Sequence, residues 1–470
     1  MAEIRFGTGG WRAVIGEDFN AENVRRVAQG VADMIKEDGQ TDKPVAIGYD
    51  RRFLSDQASK WIAEVLCANG IKVWLMRRSA PTPFIMHTVK KNGLYYGLEV
   101  TASHNPAIYN GIKVIVEEGR DAPVETTDRL EERISEIYLP SVIQFEQAKK
   151  KGLVEYMKQP FNSFIDDIIE HLDMKAIRDR DLRIAFDPMH GSGTYPLMVI
   201  MFTARCTLDT IHQNKDAYFG YALPAPNEDN LAELEYKVKS EKYDFGIAFD
   251  GDGDRVGIID DNGEYVSANE ILVMLYWYLH EYKKWKGPVV KNCATTHLLD
   301  IVAHDLGEEC YEVPVGFKYI SAKIDETNAV LGGESSGGLT VRGHIYGKDS
   351  IYSAALFTEM VSVVGMKVSE IREHLKRKYG SFAFVEKTFT TTREEKNRIN
   401  NIVMNEKQLP RFENVDRVSY LDGCKVYFND GTFVLFRFSG TEPILRIVSE
   451  ANTKETALSY IDSFRKLAGI

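Results

Sequence analysis

Cysteine is scarce and unpatterned. The five that occur, Cys67, Cys206, Cys293, Cys310 and Cys424, are odd in number and show no CxxC or zinc-type spacing, so neither a disulfide framework nor a zinc module is expected to hold the fold. Long apolar runs are missing too. The longest, Ile271 to Leu279, is far too short to cross a bilayer, and the opening residues MAEIRFG lack the apolar core of a secretory signal. Excess positive charge is also absent, and the formal net charge of −11 works against long-range attraction to nucleic acid. A cytoplasmic protein with no nucleic-acid or membrane partner is expected. Any anionic ligand must then be gripped by locally placed Arg and Lys. No G-x-x-x-x-G-K-[ST] run supports a nucleotide P-loop, and the GTGGW stretch at 7–11 lacks both the third glycine and the preceding strand of a dinucleotide fingerprint.

What is present is a recurring unit. At 470 residues, 44% hydrophobic and 27% charged, the chain is globular and long enough for three or four α/β-sized domains. Apolar runs end abruptly in polar or glycine-rich loops at KPVAIGYDRR (43–52), LRIAFDPMHGSG (182–193) and GPVVKNCATTH (287–297), each followed by a helix-compatible stretch. Second runs, YGLEVTASH, FGIAFDGDGD and YEVPVGFK, end the same way. Strands buried on both faces and alternating with helices predict mixed sheets covered by helices, with ligands bound beyond the carboxyl ends of the strands. The boundaries expected are 1–150, 151–255, 256–370 and 371–470. The last segment alternates apolar and polar residues through an Asn429-Asp430-Gly431 turn, which is hairpin chemistry. The fold class is therefore three mixed-sheet α/β domains plus a C-terminal α+β domain.

Two stretches carry the densest chemistry. In FDGDGDR the carboxylates of Asp250, Asp252 and Asp254 alternate with glycines, which let the backbone turn all three toward one point that a hard divalent cation would neutralise. An EF-hand does not fit, because Arg255 stands where that loop needs glycine, Asp261 stands where it needs glutamate, and strands flank it. In LEVTASHNPAIYNGIK, Ser103 could merely cap a helix, with His104 and Asn105 as loop polar groups. As a nucleophile it would need a base and a means of absorbing phosphoryl charge, which a metal cluster and Lys113 would supply.

Four separated motifs, TASHNP (101–106), DGDGDR (250–255), GGESSGG (332–338) and RFSGTEP (437–443), together with FGTGGWR (6–12), closely resemble the phosphoglucomutase/phosphomannomutase family of α-D-phosphohexomutases. The likeness spans nearly the whole chain in the right order, and implies three related mixed-sheet α/β domains and a C-terminal α+β domain around a central active-site cleft. It implies that Ser103 is the phosphoserine and that Asp250, Asp252 and Asp254 bind Mg²⁺ together with an oxygen of that phosphate. Arg12, His104, Lys113 and Arg255 would line the same site, with Lys113 or His104 moving the hydroxyl proton. The resemblance further assigns Glu334 and Ser336 to the sugar hydroxyls, Lys318 to the phosphosugar, and His344 and Lys348 to the same site. Arg437, Ser439, Gly440 and Thr441 would hold the substrate phosphate, with Arg446 on the strand behind. GTGGW departs from the commoner Asp-Gly or Ser-Gly within its motif, and Gly338 replaces a His often found in phosphomannomutase-like members.

The implied reaction moves phosphate between C1 and C6 of a hexose through a glucose 1,6-bisphosphate intermediate, which also serves as activator. GHIYGKDS (343–350) leans the expected sugar toward glucose, with mannose next and phosphoglucosamine mutase as the alternative. A phosphoserine-dependent phosphatase and a non-catalytic sugar-phosphate binder are the other classes. The expected assembly is a monomer or homodimer acting on a small phosphosugar.

Overall fold

The computed structural model describes residues 3–7, 9–438 and 444–470. Within them the first three units repeat one sheet pattern. In each, a central strand is flanked on both sides by parallel strands, and one flanking strand turns back as an antiparallel hairpin. In the first unit Val45–Tyr49 lies between Val73–Leu75 and Tyr96–Val100, and Tyr109–Val116 returns against the latter. In the second, Arg183–Asp187 lies between Thr207–Thr210 and Phe245–Phe249, with Val256–Ile259 returning. In the third, Val289–Asn292 lies between Cys310–Val313 and Leu331–Gly333, with Leu339–Val341 returning. The three hairpin turns carry residues 101–108, 250–255 and 334–338. One repeated device thus delivers three of the sequence motifs, each at the carboxyl end of a strand in a mixed sheet.

The pattern shifts the apparent limits of the units. Val154–Tyr156, beyond residue 150, completes the first sheet by pairing with Val73–Leu75. Val256–Ile259 and Tyr265–Val266 extend the second sheet past Arg255, because DGDGDR is a reversal inside that sheet and not its end. The helix Val368–Tyr379 runs through residue 370, and its Arg372 pairs with Asp260 at 2.6 Å. YEVPVGFK holds a flanking strand of the third unit. The counterpart of YGLEVTASH and FGIAFDGDGD is the short strand Leu331–Gly333 leading into Glu334.

The apolar run Ile271–Leu279 becomes a buried helix, Ala268–Glu281, whose start is fixed by a capping box between Ser267 and Glu270. No single helix among the described residues is long and apolar enough to cross a membrane. A continuous core joins the first three units. The fourth unit keeps its own core beneath an antiparallel sheet in the order Ala383–Thr390, Ile444–Ala451, Phe433–Phe438, Cys424–Phe428, Val415–Ser419. Side chains alternate along its strands. Val434 and Phe436 face that core, whereas Phe433 and Leu435 pack with Cys293 of the third unit.

Around this apolar junction lies a polar one. Lys425 Nζ reaches Glu312 at 2.6 Å, and the His297 ring lies 2.8 Å from the Gly431 carbonyl between the rings of Tyr427 and Phe433. Burial lowers His297 from 6.5 to about 4. Burial would raise Glu312, but contacts with His297, Lys425 and Lys291 hold it well below the carboxylate range, so it stays ionised through that window. Between pH 6.5 and 4 the unfolded chain binds a proton at His297 that the folded chain does not. The stability is therefore complete above 6.5 and is lost as pH falls toward 4, by up to about 3 kcal/mol. Urea midpoints at pH 7 and pH 4.5 should show this loss, and His297→Phe should lose less over the same interval.

Candidate active site

The hairpin turn after Tyr96–Val100 holds Ser103 in a left-handed backbone conformation (φ +50°), with its amide donating to Thr101 Oγ1 at 2.8 Å. Such a conformation costs a non-glycine residue energy and persists only where its surroundings over-determine it. Arg52 does this. Fully buried, it donates to the carbonyls of Ser103 and Asn105 at 2.6 Å, Pro106 at 2.9 Å and Tyr109 at 3.0 Å, while its Nε lies 3.2 Å from Asp50. Asp50 in turn accepts from Thr101, Ser55 and the Arg52 amide. Sequence marks only the polar end of the IGYDRR run, because the acceptors of this frame are carbonyls of a distant loop. Removing one partner of a buried ion pair costs about 3–5 kcal/mol. Arg52→Leu should therefore lower unfolding stability by that order, measured by chemical denaturation.

The second turn is clamped against the first. A side chain at Gly251 would come within 2.7 Å of the Ser103 carbonyl, so only glycine permits the approach. Thr82, at the start of the helix Thr82–Lys91, donates its amide to the Asp252 carbonyl at 2.9 Å, and Ser350 of the third unit donates its hydroxyl to the Gly253 carbonyl at 2.6 Å. Asp250, Asp252 and Asp254 are all fully buried, and one oxygen from each lies within 4.8 Å of the others.

Their hydrogen bonds separate the three. Asp250 accepts the Ser103 hydroxyl at 2.8 Å on one oxygen and the amides of Asp254 and Arg255 on the other. Asp252 accepts from Thr82 at 2.6 Å and from Lys113 at 2.7 Å. Asp254 meets Lys113 at 2.6 Å and Lys348 at 3.0 Å. The remaining oxygen of Asp252 and that of Asp254 are buried with no hydrogen-bond partner. Unpaired buried anionic oxygens are costly, and a hard divalent cation is the partner that two such oxygens beside Asp250 fit.

The charges around the cluster follow from these contacts. Burial, then Asp252 and Asp254, push Asp250 well up. Burial would raise Asp254 as well, but Lys113, Lys348 and Arg255 reverse this and hold it well below the usual range. Burial would depress Lys113, yet Asp252 and Asp254 more than compensate, so its ammonium stays charged. His104 lies 3.4 Å from the Ser103 hydroxyl, and burial followed by Arg255 and Arg12 lowers it well below its ordinary value. It is thus a neutral imidazole at pH 7. Arg12 donates to Asn105 Oδ1 at 2.5 Å, and burial followed by repulsion from Arg255 lowers its own value. Lys348 and Arg255 stand on Asp254, with Arg255 Nε 3.7 Å from it, so cations border the carboxylates on the side of Ser103 and Arg12.

The third turn reaches the second directly, through the Val256 amide and the Gly337 carbonyl at 3.1 Å. Glu334 accepts from Asn292 Nδ2 at 3.2 Å and from the Ser336 hydroxyl at 3.2 Å, and Ser336 is exposed. Asn292, which ends the central strand of its unit, is a further residue that sequence did not single out. Lys318, in the first turn of Phe317–Thr327, is lowered by burial and faces Asp128, Asp121 and Glu125 of the first unit.

His344 departs from expectation. Its ring is buried against Phe164 and Tyr352, with Nε2 2.6 Å from Asp349, so it is engaged in the packing between units and is not turned to the cluster. Lys348, on the same segment, does reach the cluster. In the fourth unit Arg437 and Arg446 are directly opposed register partners on adjacent strands. Ser439, Gly440 and Thr441 lie outside the described residues.

Matches to known proteins agree with this layout. Family models match in chain order: phosphoglucomutase/phosphomannomutase alpha/beta/alpha domain I over residues 3–140, domain II over 162–263, domain III over 267–379 and the C-terminal domain over 399–467. The chain is an α-D-phosphohexomutase by fold and site, and belongs to the phosphoglucomutase/phosphomannomutase family. Among relatives, a phosphoglucomutase/phosphomannomutase of Thermococcus kodakarensis is 29% identical over 98% of both chains. A probable phosphoglucosamine mutase of Pyrococcus abyssi is 31% identical over 98% of this chain and 97% of its own. The crystal structure of a putative phosphomannomutase from Thermus thermophilus superposes with a TM-score of 0.86 at 27% identity, covering all of both chains.

Proposed function

We propose that this phosphohexomutase interconverts hexose 1-phosphate and hexose 6-phosphate through phosphorylated Ser103, with glucose as the preferred sugar. The observation that carries the reading is the Ser103 hydroxyl, held 2.8 Å from Asp250 of a buried acidic trio, with Arg255 and Lys348 on Asp254 and Arg12 on Asn105 of the same turn. A phosphoryl group on that hydroxyl would lie within reach of Arg255 and Arg12, and a cation held by the three carboxylates would offset its charge.

Asp250, Asp252 and Asp254 would hold Mg²⁺ with an oxygen of that phosphate, and the ion would neutralise charge on the transferring group. Lys113 keeps its proton and stabilises the carboxylates, while neutral His104 is the group free to accept one beside Ser103. Arg12 and Arg255 fix the equatorial oxygens of the phosphoryl group. Glu334 and Ser336 would read the sugar hydroxyls, since a carboxylate accepting from adjacent hydroxyls rejects analogues that leave it unpaired. Lys318 would meet the phosphosugar from the third unit. Arg437 and Arg446, with the Ser439-Gly440-Thr441 segment, would hold the non-reacting phosphate. The sugar bisphosphate formed after the first transfer turns over in the cleft and returns its other phosphoryl group to Ser103, so glucose 1,6-bisphosphate is both intermediate and activator. Catalysis is then positioning and charge neutralisation, which needs no triad.

Phosphoglucosamine is the second reading, favoured by the names carried by relatives such as that of Pyrococcus abyssi. Coupled assays with the 1-phosphates of glucose, mannose, glucosamine and N-acetylglucosamine test both. The highest kcat/KM should fall on glucose 1-phosphate. A glucosamine preference would replace it, and stoichiometric release of inorganic phosphate would replace the mutase reading with a phosphatase.

A further inference from the structure

Arg437 and Arg446 stand directly across from one another on the strands Phe433–Phe438 and Ile444–Ala451. Like charges so opposed repel, and repulsion between long side chains spreads their conformations. Something must hold the guanidinium that is to meet an anion. Arg446 is exposed, and its nearest carboxylate, Glu386, is 3.9 Å away. Arg437 is held differently. Its Nε donates to Asp422 at 2.7 Å, and the same carboxylate oxygen accepts the Val315 amide of the third unit at 2.9 Å.

The turn that carries Asp422 is built for this approach. Gly423 has φ +91°, and a Cβ there would lie 2.3 Å from the Phe436 carbonyl and 3.0 Å from Arg437 Cβ. Any other residue would push the turn off the arginine. On the far side, Val315 precedes Gly316, which has φ +134°, and the helix Phe317–Thr327 that begins with Phe317 and Lys318. One oxygen therefore sets both the direction of a guanidinium on the fourth unit and the position of a loop on the third.

We infer that Asp422 is a positioning residue for recognition of the substrate's phosphate monoester: it fixes Arg437 through Nε and registers the fourth unit against the loop leading to Lys318. The inference rests on the reading of Arg437 as a phosphate ligand. Without the carboxylate, Arg437 keeps its charge but loses its direction, and repulsion from Arg446 moves it away.

The test compares Asp422→Ala, Asp422→Asn and Arg437→Ala with the parent enzyme, using the sugar phosphate that the parent turns over and inorganic phosphate as competitive inhibitor. Loss of one charge-assisted contact predicts that Asp422→Ala raises KM and the phosphate inhibition constant by about tenfold, with kcat within about threefold. Asp422→Asn keeps an acceptor for Val315 without the ion pair, so it should show a smaller rise in both constants. A merely structural aspartate would lower the unfolding midpoint and leave the ratio of KM to kcat untouched. Parent-like KM and inhibition constants in a folded Asp422→Ala or Asp422→Asn, while Arg437→Ala loses both, overturn the role of Asp422 alone. Parent-like constants in Arg437→Ala overturn the phosphate reading beneath it. If Asp422→Ala does not fold, the milder Asp422→Asn carries the same comparison.

Discussion

Ser103→Ala should lose turnover by roughly four orders of magnitude while keeping its fold, because a covalent route has no second acceptor once the hydroxyl is gone. Among the described residues the Ser103 hydroxyl is the one that bonds the carboxylate trio from the TASHNP turn. Its removal takes away one hydrogen bond and no charge, so the effect on stability should be about 1 kcal/mol. A coupled assay on the purified variant, with circular dichroism as the control for folding, reads both. Parent-like rates would show that the phosphoryl group does not pass through this serine.

The second large effect is expected at the metal. Asp252→Asn replaces the side chain whose one oxygen binds Thr82 and Lys113 and whose other oxygen has no partner. Mg²⁺ affinity and transfer rate should both fall, by at least about a hundredfold. The fold should survive, since Lys113 retains Asp254 and the variant relieves repulsion among three buried carboxylates. Chelator-treated parent enzyme should behave in the same way, and Ca²⁺ should bind without supporting turnover because its looser geometry takes more ligands. Full activity without divalent ions would refute the assignment.

The site was legible in sequence where its chemistry is contiguous and hidden where it is assembled across the fold. TASHNP and DGDGDR each pack their functional groups into one hairpin turn after an apolar strand, so the strand signal and the chemistry announce each other. The third turn was readable from GGESSGG, but its strand was not. Leu331–Gly333 is short, and two of its positions are glycine because side chains there would strike Ile324 and Leu272. The apolar run that marks its counterparts is missing, so the apolar YEVPVGFK stands out in its place. Arg52 and Asp422 were invisible for a different reason: each acts on backbone or side chains far away in the chain, and no spacing rule connects them.

His344 and Lys348 show the limit of reading a turn-rich segment. Both sit on the run 343–350, yet the lysine reaches Asp254 and the histidine turns into an aromatic pocket beside Asp349. Direction in such a segment is set by the helix that follows. Asp349 caps Ser350–Val364 by accepting the Ile351 and Tyr352 amides, and this fixes the acceptor for His344. The ends of the units blurred for a related reason. Polar, flexible-looking stretches mark boundaries in sequence, and two of them, the linker near 150 and DGDGDR, adjoin strands of a continuing sheet.

The transfer of a phosphoryl group through Ser103 is tested most directly by rapid quench. Enzyme labelled with radioactive glucose 1,6-bisphosphate would be freed of excess label, mixed with one equivalent of unlabelled glucose 1-phosphate, and stopped at intervals. The predicted result is label on the peptide containing Ser103 at the first time point, passing through sugar bisphosphate to hexose 6-phosphate within one turnover and without release of inorganic phosphate. Label that never appears on that peptide, or that leaves as inorganic phosphate, would contradict the account.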